Sequence, residues 1–253
     1  MRGMGAKAMT ANLRRDLNIS GVLGGAGGGE FNVVSINGHG TIDGSLDCIG
    51  FVCNGRATVN GPLLSETVEV NGSTSFNGKL DAGRMRVNGK SDIAGPMAVR
   101  DFRVDGHAKV GGHLSGEEIE VNGYLTVKGN CDAESFRSHG CFRIDGLLNA
   151  GTIEVNLMFA ECRAKEIGGE TITVRRTGNG SAIGKLVKAL VFSQDALVAD
   201  AIEGDDVRLE YTKAGVVRGT NVVIGPGSEI GLVEYKDNLS VHTDAKVSAS
   251  KQL

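Results

Sequence analysis

The residues of this chain that could do chemistry are five histidines, a few neighbouring carboxylates, five cysteines and one glycine-rich run. The histidines are His39, His107, His113, His139 and His242. A shared metal would need several of them within reach, because ligand bonds run about 2 Å. Carboxylates adjoin at Glu117-Glu118 and Asp205-Asp206, whereas glycoside hydrolysis needs two carboxyls facing each other across a cleft. Adjacent residues on a strand point to opposite faces, so these pairs read more simply as solvated surface. The run from Gly24 to Gly29 suggests a phosphate loop, but it lacks Gly-Lys-Ser/Thr and no clear helix follows it. The five cysteines include no Cys-x-x-Cys pair.

What positions all of these residues is a repeat of seventeen. One glycine column runs Gly21, Gly38, Gly55, Gly72, Gly89, Gly106, Gly123, Gly140. A second runs Gly27, Gly44, Gly61, Gly78, Gly95, Gly112, Gly129, Gly146. A fixed period of this length marks a stacked repeat architecture. Asn37, Asn54, Asn71, Asn88, Asp105 and Asn122 precede glycines of the first column. Glycine takes positive φ at little cost, so the spacing predicts corners at these positions. Stacked Asn amides could also hydrogen-bond from coil to coil.

Aligned on the period, six apolar columns emerge. The first runs Leu17, Val34, Phe51, Val68, Met85, Phe102, Ile119, Phe136, Ile153, and the second starts at Ile19, Ile36 and Cys53. The third is mixed in size, from Leu23, Gly40 and Ala57 to Phe142 and Phe159; the fourth runs from Ile42 to Ile144. The fifth runs from Leu46 to Leu148 and the sixth from Phe31 to Ala150. Columns two residues apart share a strand face, and the longer gaps are turns. The pattern predicts an all-β, single-stranded, three-sided parallel β-helix, a solenoid with three short strands per coil. No charged residue between Leu17 and Val155 falls in an inward column, as an apolar interior requires.

Outward columns complete the reading. Glu69, Arg86, Arg103, Glu120, Arg137 and Glu154 share one of them, mostly alternating in sign, with Arg86 and Arg103 as the like-charged exception. His39 and His107 share another, four coils and about 19 Å apart at about 4.8 Å per coil, too far for common ligation. Cys48, Cys53 and Cys131 fall in core columns, while Cys141 falls in an outward one. With no base established beside it, Cys141 is a weak nucleophile candidate. Gly225–Gly231 superficially resembles the hexapeptide repeat of left-handed β-helix acyltransferases, but the rest of the chain follows no six-residue rule.

Residues 17–160 form the regular part. At Glu161 and Lys165 charges land in inward columns, and an insertion of two residues restores the phase, because Ile172-Thr-Val174 repeats Ile153-Glu-Val155 nineteen residues on. Residues 161–247 read as an irregular continuation with a loop excursion near 178–189. Residues 1–16 are expected to be a flexible basic segment and 248–253 a flexible tail. Net charge is -3, with 27 basic against 30 acidic residues, so no basic field argues for nucleic acid. The odd cysteine count and the lack of signal-peptide or membrane-span patterns imply a cytoplasmic protein. No cofactor or metal is expected.

The recurring corners Val70-Asn71-Gly72 and Val104-Asp105-Gly106, followed six residues on by Phe76-Asn77-Gly78, carry a resemblance. Over roughly residues 17–160 the chain resembles the bactofilins, bacterial polymer-forming cytoskeletal proteins. The resemblance implies a right-handed coil and filaments assembled without nucleotide by end-to-end joining. It implies partners of three kinds: the chain itself, other bactofilin-like proteins, and envelope or motility proteins. Cell shape, envelope organisation and motility are the roles it suggests. Some members bind membrane through an N-terminal peptide, which leaves a place at the inner face of the cell membrane open; the first sixteen residues here are basic but weakly apolar.

An open coil end is an unpaired strand row ready for another chain. Leu17 and Ile19 at one end, with Leu239 and Val241 at the other, are therefore the expected polymerisation contacts. Two alternatives stand beside this reading. One is a non-polymerising β-helical binding scaffold; the other is a β-helix carbohydrate-active enzyme or acyltransferase, for which no clustered acid/base or His site is legible. The chain is expected not to be an enzyme.

Overall fold

Apolar residues two apart, separated by turns that never reverse the chain, can all face inward only if the backbone coils round them. The computed structural model, which describes residues 14–158, 160–176 and 196–253, shows this coil: a parallel β-solenoid of about 13 turns, with no helix among the described residues. Leu63, Leu80, Met97, Leu114, Cys131 and Leu148 pair in sequence, one coil on the next.

A regular coil consists of a long strand such as Leu80–Val87 and a short one such as Lys90–Ile93. The long strand covers two faces. Its ladder pairs Ala82 with Val99 and Arg84 with Asp101 but skips the residue between, where the chain turns its third corner. Three faces per coil result, as the column spacing predicts.

The six columns are the core. Val59, Phe76, Ile93, Val110 and Val127 are all at most 1% exposed. Side-chain size is balanced across columns, which keeps a narrow interior filled. Where the third column is small, at Ala57 and Thr74, Phe51 and Phe76 meet edge to face at 5.5 Å. Where it is large, at Phe142, the ring packs on Phe136 at 5.2 Å and the second column shrinks to Ser138. No buried residue among those described carries a charge. Thr74 and Ser91, stacked in the third column, satisfy each other with a 3.0 Å hydroxyl hydrogen bond.

The glycines are required for a different reason than positive φ. Of both corner columns only Gly44 has positive φ, at 101°. From Gly38 and Gly61 onward the others are needed because consecutive coils approach too closely for a side chain, whereas a Cβ on Gly21 or Gly27 would meet nothing. The carbonyl of Gly38 points along the tube to accept the Arg56 N–H at 2.8 Å. That oxygen lies where a Cβ on Gly55 would sit, and the same overlap recurs up the column from Gly38 to Gly140. Beside this stack the amides form the expected ladder: Asn54, Asn71 and Asn88 each donate Nδ2 to the Asn one coil below, at 2.7, 2.9 and 2.6 Å.

The coil continues beyond residue 160. The pairing offset rises to 20 at Ile144↔Ala164 and settles to 19 by Ile153↔Ile172 and Val155↔Val174. This slip leaves Glu161 and Lys165 outside and puts Cys162 and Ala164 in the core. Ile172 then pairs with Val207, Val207 with Val222, and Val222 with Leu239. The loop expected near 178–189 and the third-column Phe159 lie outside the described residues.

Three expectations change. Arg15–Ile19 is a strand, and Arg14 holds Asp47 at 2.7 Å, so the flexible segment expected over 1–16 does not include its last residues; residues 1–13 lie outside the described chain. The tail expected over 248–253 is mostly strand, because Lys246–Gln252 pairs with Glu229–Tyr235. Cys141 is buried rather than outward: its Sγ lies 3.4 Å from the carbonyl of Glu161, in the inserted turn that wraps over it.

Candidate functional site: the two rims and a lateral groove

The two ends of the coil hold the residues expected to join subunits. At one end the strand Arg15–Ile19 pairs, among the described residues, with the following coil alone, Leu17 against Val34 and Ile19 against Ile36. Leu17 is half-buried, but Ile19 is 3% exposed. Gly40 accounts for this: lacking a side chain in the third column, it leaves space that the Ile19 side chain enters. Ile19 is thus part of the internal core, and Leu17 is the half-buried apolar side chain beside it.

At the other end Leu239 and Val241 pair with Val222 and Ile224 below them. The last strand, Lys246–Gln252, covers only the Glu229–Tyr235 part of this coil. Among the described residues no strand lies above Asn238–Val241. Leu239 is half-buried, Val241 is 43% exposed, and Ala245 and Val247 pack partly on the core. The next inward positions are polar: Ser250 pairs with Val233, and Gln252 donates Nε2 to the Lys236 carbonyl at 2.9 Å. This rim is apolar on one face and closed by polar side chains on another.

The histidines do not converge. His107 stacks on Tyr124 of the next coil at 5.1 Å, His113 lies 3.4 Å from Asp132, and His242 lies 3.8 Å from Asp244. Among the described residues no group of three His, Cys, Asp or Glu side chains is placed to hold a metal ion. Burial pushes the thiols of Cys48, Cys53 and Cys131 up from the ordinary cysteine range, which disfavours the thiolate.

A lateral groove escaped the sequence reading. It has a volume of about 710 Å³ and runs over Gly169, Gly204 and Gly219 of three successive coils. Glu170 and Asp205 stand on one side and Arg218 on the other. Arg218 is already engaged, at 2.8 Å from Glu234 and 3.8 Å from Glu203. Its guanidinium is held above its usual range by the hydrogen bond to Glu234. The groove wall is therefore a coil-to-coil charge ladder. The signal that could have revealed it is the apolar-x-Gly-polar recurrence at Ile167, Ile202 and Val217, hidden by offsets of thirty-five and fifteen.

Two proteins of Bacillus subtilis (strain 168) share part of this pattern. The uncharacterized protein YhbF is 47% identical over 92 residues, which cover 36% of this chain and 34% of YhbF. The uncharacterized protein YhbE is 37% identical over 109 residues, covering 42% of this chain and 43% of YhbE. The chain thus spans between a third and a half of the length of these curated relatives. No family model matches the chain, and no solved structure matches it.

Several charged side chains pair from one coil to the next. Asp105 accepts from Arg103, Asn122 and Arg86, and these bonds, Arg103 foremost, hold its carboxyl below the usual range. Lys128 and Arg143 do the same to Asp145. Such exposed pairs contribute only about 0–1 kcal/mol each, but repeated along the stack they favour one register of coil on coil.

Proposed function

We propose that this protein is a structural scaffold that assembles end to end, without nucleotide, into filaments of the bactofilin kind. One observation carries the reading: the strand segment Asn238–Val241 is hydrogen-bonded on one side only among the described residues, with Val241 exposed beside it. A strand edge with free N–H and C=O groups gains backbone hydrogen bonds on meeting another. Covering Val241 and Leu239 also removes apolar surface from water, at about 25 cal/mol per Å². The contacts we assign are Leu17, Leu239 and Val241; Ile19 acts behind them. An end-to-end joint that does not close on itself propagates into a fibre.

Cell shape, envelope organisation and motility are the roles this reading suggests, with the chain itself as first partner and a cytoplasmic site of action. The second reading is a scaffold that does not polymerise. The polar Ser250 and Gln252 at inward positions of the last coil favour it, since solenoid ends are commonly capped by polar side chains. Sedimentation velocity over a concentration series in nucleotide-free buffer separates the two. Filament formation predicts fast, concentration-dependent boundaries; a single boundary at every concentration contradicts it.

A further inference from the structure

Cys141 and Cys162 meet where the regular stack gives way to the inserted turn. Both are buried, at 9% and 0% exposure, and neither is in a disulfide. The Cys141 thiol donates to the carbonyl of Glu161, the residue before Cys162, at 3.4 Å. The Cys162 thiol lies 3.6 Å from the carbonyl of Gly140, the residue before Cys141. This crossed arrangement, each thiol reaching the carbonyl that precedes the other cysteine, brings the two side chains to the same point of the seam. Their strands are adjacent, and the Arg143–Arg163 pairing sets Cys162 one residue out of step with Cys141, a diagonal separation of about 6 Å that is within a disulfide's Cα–Cα range.

The other cysteines have no such neighbour. Cys48 contacts Ser65, Cys53 contacts the Ser73 carbonyl, and Cys131 is fully buried in the fifth column. Cys141 is also the most exposed of the five.

We propose that Cys141 and Cys162 form an oxidant-sensitive dithiol whose disulfide staples the last regular coil to the first irregular one. A hydroperoxide such as hydrogen peroxide is the oxidant. The Cys141 sulfur attacks one peroxide oxygen, the O–O bond breaks, and the other oxygen leaves as water, giving a sulfenic acid. The Cys162 sulfur then attacks the Cys141 sulfur; the S–S bond forms, the S–O bond breaks, and the hydroxyl leaves with the Cys162 proton as a second water. Two electrons pass from the thiols to the peroxide. The pairing at this seam shifts between Ile144 and Leu147, so a covalent link there ties together coils whose ladder is interrupted.

The test treats the full-length chain with hydrogen peroxide, blocks remaining thiols under denaturing conditions and maps peptides by mass. The proposal expects one intramolecular Cys141–Cys162 crosslink, lighter by two hydrogen atoms and reversed by dithiothreitol, with three thiols left to block. It also expects the thermal midpoint of the wild-type chain to rise on oxidation, and that of Cys162→Ser not to. Five free thiols after treatment, Cys141 oxidised to sulfinic acid without a crosslink, or a bridge involving Cys48, Cys53 or Cys131 would each overturn it. The wild-type peptide map decides the question even if the variant fails to fold.

Discussion

Arg86 grips Asp105 in the next coil through two nitrogens, Nε at 3.1 Å and Nη2 at 2.9 Å. This resolves the one like-charged step in the outward ladder. Arg103, directly above Arg86, turns to the same carboxylate at 3.0 Å, so Asp105 stands between two guanidiniums. It also repairs the amide ladder. The Asp105 carboxylate has no N–H to give, and Arg86 donates to both Asn88 Oδ1 and Asp105 where an amide would have bridged them.

A pH dependence follows from the depressed Asp105 carboxyl. A carboxylate whose folded pKa is lowered contributes its stability fully above the unfolded value, about 3.9, and loses it as pH falls through the folded pKa. Asp105→Asn should therefore cost up to about 1 kcal/mol at neutral pH. It should also narrow the gap between the urea midpoints at pH 7 and pH 3. An unchanged gap would mean that Asp105 is not coupled to its arginines.

The close coil-to-coil approach at the corners predicts a contrast between two glycines of one column. Gly72→Ala drives a methyl into the carbonyl of Gly55 and should cost about 1–3 kcal/mol, as overpacking does. Gly21→Ala meets nothing within 4 Å and should stay within about 0.5 kcal/mol of wild type. Thermal melts of the two variants check this. Equal losses would return the explanation to backbone conformation.

The Thr74–Ser91 pair inside the tube predicts strong non-additivity. Thr74→Val leaves the Ser91 hydroxyl without its partner and should cost about 1–3 kcal/mol. Adding Ser91→Ala removes the orphan and should recover much of that loss. A double-mutant cycle in urea measures the coupling, and simple addition would show that the 3.0 Å hydrogen bond carries none.

Much of this architecture was legible because seventeen-residue columns separate inside from outside before any coordinates exist. Val59, Phe76 and Val110 could be placed in the core from spacing alone. The glycines show the limit of such reading. Sequence records that a side chain is missing, but only the Gly38 carbonyl against Gly55 shows why. Cys141 was misplaced because the turn through Glu161 folds back over its coil, an effect of the insertion that a fixed period cannot represent. The Gly169–Gly204–Gly219 groove was hidden likewise, since its coils differ in length. The burial of Ile19 was not legible either, because it depends on the space left by Gly40 one coil away.

Negative-stain electron microscopy of nucleotide-free protein, wild type beside Val241→Asp, tests end-to-end assembly most directly. Val241 is exposed, so the variant should remain folded while a charge sits on the open strand edge. The account predicts long fibres one tube wide for the wild type and short isolated rods for the variant. Isolated rods from the wild type, or fibres undiminished in the variant, would contradict it.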